Sequence, residues 1–254
     1  MLHLRLRNFP LRAEWLIPTF ALALPLYGCS QVSQHVYPTV ALLHVGKTAG
    51  STVMQELQKF CCEPRCHLTW YHWLPFPASA FKADKVIITI RDPVERVVSA
   101  FNFGNPYLYP QLSDTSPSRR GCHALYSCFL DANLFANTLL DSSRCGSVAR
   151  EALLAAQCEH IGRGYTFYFA ASKYLLRAGS YHVIHVHNIL HDLKCVFSNL
   201  TGPLPSINRR SYKHLPTPVN ETGISMLKSL LQEEYDYFHL LERNSVSCSD
   251  PPFL

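Results

Sequence analysis

The 254-residue chain has no internal repeat and no long low-complexity stretch. That excludes solenoid and fibrous architectures, and a 48% hydrophobic content is enough for one sizeable globular core. Charge of one sign is not in large excess either: 23 Lys and Arg stand against 18 Asp and Glu, for a net charge of +5. So mild a balance does not call for a nucleic-acid partner, and it suits small anionic ligands, anionic glycans or a membrane surface. An uninterrupted apolar run of membrane-spanning length, about 20 residues, is also missing. The nearest approach, Trp15 to Cys29, is uncharged and lies behind Arg5, Arg7 and Arg12, but Pro18 and Pro25 interrupt it. Residues 1–30 therefore read as a signal sequence, cleaved near Gly28 or Ser30, or as a short signal-anchor. If retained, its basic flank stays cytoplasmic and residues 31–254 form a lumenal domain.

Cysteine is not scarce. Nine follow Cys29, at positions 61, 62, 66, 122, 128, 145, 158, 195 and 248, a density unusual for a reducing compartment. Nine is odd, so at least one stays free or pairs between chains. Cys61, Cys62, Cys66 and His67 have zinc-like types, but no second pair follows at zinc-finger spacing, and a disulfide-bonded loop is the reading. Asn199-Leu200-Thr201 and Asn220-Glu221-Thr222 are acceptor sequons consistent with lumenal exposure.

The chain is organised around Leu42-Leu43-His44-Val45-Gly46-Lys47-Thr48-Ala49-Gly50-Ser51-Thr52, an apolar run that breaks into a small-residue turn. The pattern predicts a strand, an anion-cradling loop and a helix start. Gly46 and Gly50 allow close backbone approach, Ser51 and Thr52 offer hydroxyls and amides where the helix dipole favours negative charge, and Lys47 adds a full positive charge. A nucleoside-triphosphate loop would have Gly-Lys-Ser/Thr at its end; here Lys47 precedes Ala49 and Gly50, which argues against ATP or GTP hydrolysis. A second strand, turn and helix follows in Ile87-Ile88-Thr89-Ile90-Arg91-Asp92-Pro93, with Pro93 near the first helical position and Ser99 eight residues beyond Arg91. A kinase or NTPase would carry an acidic residue at that strand end, where Arg91 stands.

Between the two, Leu68 to Pro75 alternates and is aromatic, which predicts a second core strand with His72 at its exit. Ligands of open parallel sheets lie beyond the carboxyl ends of the strands, so His72 faces the two loops as a candidate base. His67 is the runner-up.

The two loops resemble the nucleotide-binding segments of sulfotransferases that use 3′-phosphoadenosine 5′-phosphosulfate (PAPS), nearest the Golgi carbohydrate branch that includes the heparan sulfate 2-O- and 6-O-sulfotransferases. The resemblance rests on His-x-x-Lys-Thr-x-Gly-Ser-Thr from His44 and on Arg-Asp-Pro-x-x-Arg-x-x-Ser-x-Phe from Arg91. It implies a three-layer α/β fold with a central parallel sheet and a P-loop-like phosphosulfate-binding loop. By position, Lys47, Thr48, Ala49, Gly50, Ser51 and Thr52 take the 5′ side of PAPS, and Arg91 and Ser99 take the 3′-phosphate. The family's catalytic histidine lies roughly twenty residues before the Arg-Asp-Pro; His72 is nineteen before Arg91 and His67 twenty-four. The resemblance further implies a carbohydrate acceptor, no metal, and a Golgi membrane protein of single-pass type II, or a secreted one after cleavage. A basic loop closes over the nucleotide in the family, which makes Arg209 and Arg210 candidate contacts, with Lys213 beside them. A rival of another class is a non-catalytic glycan- or nucleotide-binding protein that keeps the fold. It gains from His187-Asn188, where the family has a charged pair.

The remaining stretches are read more coarsely. Gly104 to Gly121 is an irregular loop with Arg119-Arg120 as a solvated basic pair; Ala124 to Arg177 gives two or three helices, with Tyr165, Tyr168 and Tyr174 as packing residues. Ser180 to His187 is a strand, Ile189 to Leu200 a helix capped by Asn188, and Thr222 to Arg243 one final helix.

Overall fold

The structure is a computed structural model, and it describes residues 37–62, 66–112, 119, 121–156, 158–197 and 216–246. The N-terminal segment 1–30, the sequon at Asn199, Arg120, and the basic loop with Arg209, Arg210 and Lys213 lie outside the described residues.

Four strands, β1 (Thr39–His44), β2 (His67–Tyr71), β3 (Lys85–Ile90) and β4 (His182–His185), form an all-parallel sheet in the order β2-β1-β3-β4. The two central strands are nearly continuous apolar runs, as parallel strands covered on both faces must be. Their residues alternate between two cores. Val40, Leu42, Ile87 and Ile184 pack on α1 (Gly50–Cys62) and on α8 (Ile189–Val196). Leu43, Ile88, Ile90 and Val183 pack on α7 (Tyr165–Phe169) and α10 (Gln232–Asn244). The chain is thus an α/β protein with helices on both sides of its sheet. A third core joins α2 (Pro93–Gly104) to α3 (His123–Cys128), α4 (Ala132–Asn137), α5 (Arg144–Leu154), α6 (Glu159–Gly162) and α9 (Glu221–Leu230).

Several expectations are corrected. β2 is an edge strand that stops at Tyr71, and three of its five residues are exposed. Pro75 lies beyond it, because the partner strand β1 ends at His44 and the last pair is Leu43 with Tyr71. The stretch from Ala124 to Arg177 breaks into five short helices and a 3-10 turn at Ala170–Leu175 instead of two or three helices. The final helix is divided into α9 and α10 at Leu231, whose φ of −99° and ψ of 19° leave the helical region. Helix α8 ends at Val196, and Asn188 occupies its N-cap position without a side-chain bond. Asn220, of the second sequon, caps α9 through Gly223 N–H at 2.9 Å and is exposed.

Arg119 is not solvated. It is 4% exposed and donates to the carbonyls of Gly104, Tyr109 and Leu112, drawing the loop closed around its guanidinium. Disulfides join Cys61 to Cys66, Cys122 to Cys158 and Cys128 to Cys145, and Cys195 is also disulfide-bonded. The first closes the loop that zinc would otherwise have claimed. The second ties α3 to α6 across 36 residues, worth about 4 kcal/mol of loop-closure entropy. Such bonds fit a lumenal or secreted setting. No helix among the described residues is long and apolar enough to cross a membrane.

The second arginine of the Arg-Asp-Pro segment anchors the helical layer. Arg96 is 1% exposed and donates to the carbonyls of His160 at 2.9 Å, Ile161 at 3.1 Å and Arg163 at 3.4 Å. Its guanidinium also lies 4.0 Å from the Glu234 carboxylate. That carboxylate caps α7 by accepting from Tyr165 N–H at 2.6 Å and Thr166 N–H at 3.0 Å. Gly164 makes the approach feasible, since a Cβ there would stand 1.9 Å from Glu234 Oε2. Replacing Arg96 with Met leaves these acceptors and the Glu234 charge without their donor. Urea unfolding should show a loss of about 3–5 kcal/mol; a loss under ~0.5 kcal/mol, the scale of a surface substitution, would mean that the arginine is not an anchor.

Candidate functional site

Strand β1 lies between β2 and β3; the chain leaves β1 toward β2 and leaves β3 in the opposite direction toward β4, so the β1/β3 boundary is the switch point of the sheet. Ligands of doubly wound sheets bind at that point, beyond the carboxyl ends of the strands. The sequence puts its two turn-helix segments there. Register pairs His44 with Thr89, so Gly46 and Arg91 leave the sheet at the same level on neighbouring strands.

The first turn departs from its expected mechanics. The positive φ angles belong not to its glycines but to Lys47 (69°) and Ala49 (59°), a left-handed conformation that costs non-glycine residues about 1 kcal/mol or more each. Thr48 holds the turn between them. It is buried, its hydroxyl donates to the Val45 carbonyl at 2.6 Å, and with that proton committed Thr89 donates to it at 2.6 Å across the strands. Gly50 serves packing: a Cβ there would sit 2.1 Å from the His44 ring. The turn delivers Lys47 to α2, where its ammonium lies 3.9 Å from the centroid of Phe103. At the start of α1, Ser51 is exposed and Thr52 buried.

The second turn is built as its sequence indicates. Asp92 caps α2 through Glu95 N–H at 3.1 Å, Pro93 occupies the first turn, and the other Asp92 oxygen accepts from Tyr235 at 2.8 Å. Tyr165 is not only a packing residue. Its hydroxyl accepts from Arg91 N–H at 2.8 Å and donates to the Arg91 carbonyl at 2.6 Å, clamping the end of β3. The Arg91 side chain turns to Glu95 at 3.2 Å. Ser99, half-buried, stands one turn beyond Glu95, so positions 95, 99 and 103 follow one face of α2, and Arg91 meets that face from just before the helix.

His72 follows the last residue of β2 and reaches the same place. It is 9% exposed, its ring stacks on His44 with centroids 4.0 Å apart, and its Nδ1 lies 2.9 Å from the His44 carbonyl. A carbonyl only accepts, so Nδ1 carries the proton and Nε2 of the neutral ring keeps its lone pair. Burial lowers the His72 pKa from its ordinary 6.5, against the opposing pulls of the His44 carbonyl and Glu159. His67, the runner-up, opens β2 opposite Thr39 and so sits at the amino end of the sheet, away from both turns. His72 and the first-turn residues are together; His67 is not with them.

Two residues of this neighbourhood were not expected from the sequence. His160, from α6, meets His72 edge-on at 5.8 Å, and burial with neighbouring positive groups pushes its pKa down to about 3. The Tyr168 hydroxyl lies beside Gly46, at the same point as His72 and His160. Both come from a segment some 90 residues after His72, and only the Gly162 and Gly164 punctuation hinted at a special turn. Outside this pocket of rings, Trp70 (40% exposed) and Trp73 (44% exposed) flank His72, with Trp73 4.2 Å from it between ring centroids. Arg163 ties that rim to α6 by donating to the Trp73 carbonyl at 3.3 Å. Among the described residues no group of His, Cys, Asp and Glu has metal-binding geometry.

The fold and these strand ends define a class: an open parallel α/β protein with two turn-helix elements side by side at its switch point and a neutral histidine against one of them. No family model, no curated protein and no solved structure matches the chain.

Burial of neutral imidazoles ties stability to pH. His44, His72 and His160 all have lowered pKa values, so between about 6.5 and 3 the unfolded chain takes up protons that the folded one refuses. Stability therefore falls as pH drops below about 6.5. Each excluded proton steepens the fall by about 1.4 kcal/mol per pH unit. Melting temperatures from pH 8 to 4 check this, and His160→Gln should flatten the slope; an unchanged slope would mean that His160 is protonated in the folded protein.

Proposed function

We propose that the chain is a PAPS-dependent sulfotransferase that transfers the sulfuryl group to a hydroxyl of a carbohydrate acceptor. The observation that carries the reading is the meeting, at one switch point, of the Lys47 turn, the Arg91 turn and a histidine whose basic nitrogen is Nε2. The sequence likeness of the two turns supplies the identity of the ligand. In this reading Lys47 to Thr52 form the P-loop-like phosphosulfate-binding loop and Arg91 and Ser99 hold the 3′-phosphate; the candidates Arg209 and Arg210 lie outside the described residues.

The chemistry follows from the side chains. His72 Nε2 removes the proton of the acceptor hydroxyl, the oxygen forms its bond to sulfur, and the bond from sulfur to the 5′-phosphate oxygen breaks. Lys47 and the amides at the start of α1 meet the charge that grows on that leaving oxygen. A base held neutral by burial is in its working form at neutral pH. Trp70 and Trp73 offer exposed aromatic faces beside His72, suited to the apolar face of a sugar ring. Together with the disulfides and the basic, apolar N-terminal stretch, this favours a Golgi-lumenal or secreted enzyme.

Calorimetry with 3′-phosphoadenosine 5′-phosphate (PAP), ADP and GDP tests the nucleotide assignment. Selective PAP binding that weakens about 10- to 100-fold in Arg91→Ala is expected, from the loss of a charge-assisted contact; preference for ADP or GDP would sink the reading.

The base is tested by turnover. His72→Ala should lower kcat by about 10²- to 10⁴-fold while PAP still binds. The acid limb of the wild-type rate profile should lie below 6.5, because the His72 pKa is lowered from that value. Retained turnover in the variant would remove His72 from the mechanism, and PAP binding without transfer to any glycan would favour the non-catalytic alternative.

A further inference from the structure

A carboxylate stands between the two residues assigned to the 3′-phosphate. Glu95, in the first turn of α2, comes four residues after Arg91, which precedes the helix, and one helical turn before Ser99. Its Oε2 accepts from Arg91 Nε at 3.2 Å and is 2.9 Å from His187 Nε2. A phosphate held by Arg91 and Ser99 would compete with this carboxylate for one guanidinium, and two anions side by side repel.

The surroundings favour one resolution. The Arg91 side chain is 24% exposed and its backbone is clamped by Tyr165, whereas Glu95 is 44% and His187 67% exposed. Glu95 has room to turn outward and Arg91 has little. The other groups near His187 are already engaged: His185 with Asp192 at 3.0 Å and Glu242 at 3.4 Å, and His191 with Asp192 at 3.3 Å. His187 is the histidine at this strand end that faces Glu95.

We propose that Arg91, Glu95 and His187 form an exchange latch at the nucleotide site. Without nucleotide, Glu95 fills the anion position on Arg91. When a 3′-phosphate arrives, Arg91 passes to it and Glu95 stays on His187, held away from the phosphate. His187 is thus a positioning residue that acts through Glu95 and does not itself contact the nucleotide. The inference rests on the assignment of Arg91 to the 3′-phosphate.

The test is a double-mutant cycle read by calorimetric PAP affinity of the full chain, with wild type, His187→Ala, His187→Gln, Glu95→Gln and the Glu95→Gln/His187→Ala pair. His187→Ala should weaken PAP about five-fold, a coupling typical of residues sharing one network. His187→Gln should largely restore it, since the amide still donates to Glu95. Glu95→Gln should tighten PAP, and in that background His187→Ala should change nothing. An equal loss from His187→Ala in both backgrounds would make His187 a direct phosphate contact and overturn the latch. So would wild-type-like affinity in every variant, with the PAP selectivity of the wild type intact and the sulfotransferase reading untouched. A wild type that does not bind PAP would remove that reading and the latch together.

Discussion

The contact on which the site depends is a buried one that never meets a ligand, the guanidinium of Arg96 against three carbonyls and the Glu234 carboxylate. Through the carbonyls it fixes the turn that carries His160 and Arg163. Through Glu234 it fixes the start of α7, which aims Tyr165 at the end of β3 and Tyr168 at Gly46. Both turns of the switch point are therefore braced from the same helical layer. Both terminal nitrogens find acceptors while Nε has none among the described residues, so the worth of this buried charge is in geometry more than in net stability.

The histidines show a different use of burial. His44, His72 and His160 lie within ring contact of one another or of a common neighbour, and each positive charge placed there opposes the next. The cluster stays neutral as a group. Its one polar constraint on His72, the bond to the His44 carbonyl, sets the tautomer and leaves Nε2 as the basic atom. If His72 is the base of the proposed reaction, its basicity is thereby limited in exchange for the neutral form, a compromise suited to work near neutral pH. The Gly50 position belongs to the same economy of space, because the His44 ring fills the volume that a side chain there would need.

What the sequence disclosed follows from how locally each feature is determined. Strands β1 and β3 and the helix start at Pro93 were legible because apolar runs and proline placement act within a few positions. The Cys61–Cys66 loop was legible for the same reason. Arg119 was misread because a run of polar and proline residues predicts solvent, while its burial depends on carbonyls gathered from Gly104, Tyr109 and Leu112. The final helix was read as continuous because the apolar spacing of Leu227, Leu231 and Tyr235 persists through the break at Leu231. Tyr165, Tyr168 and His160 were beyond sequence reasoning for a tertiary reason: their partners at Arg91, Gly46 and His72 lie about 70 to 120 residues away.

The two halves of the site also differ in how firmly they are held. On the β1 side, Thr48, His44 and His72 are buried, and Thr48 and His72 bond backbone carbonyls, so the protein itself braces the Lys47 turn with its left-handed residues. On the β4 side, Glu95 and His187 are partly or mostly exposed, and exposed ion pairs are worth only about 0–1 kcal/mol. A dianionic group offers Arg91 more than that, since charge-assisted bonds to phosphate are among the stronger polar contacts. Under the proposed sulfuryl transfer, the firmly held half would take the reacting end of the ligand, where small displacements are costly, and the exposed half the end that only has to bind and leave.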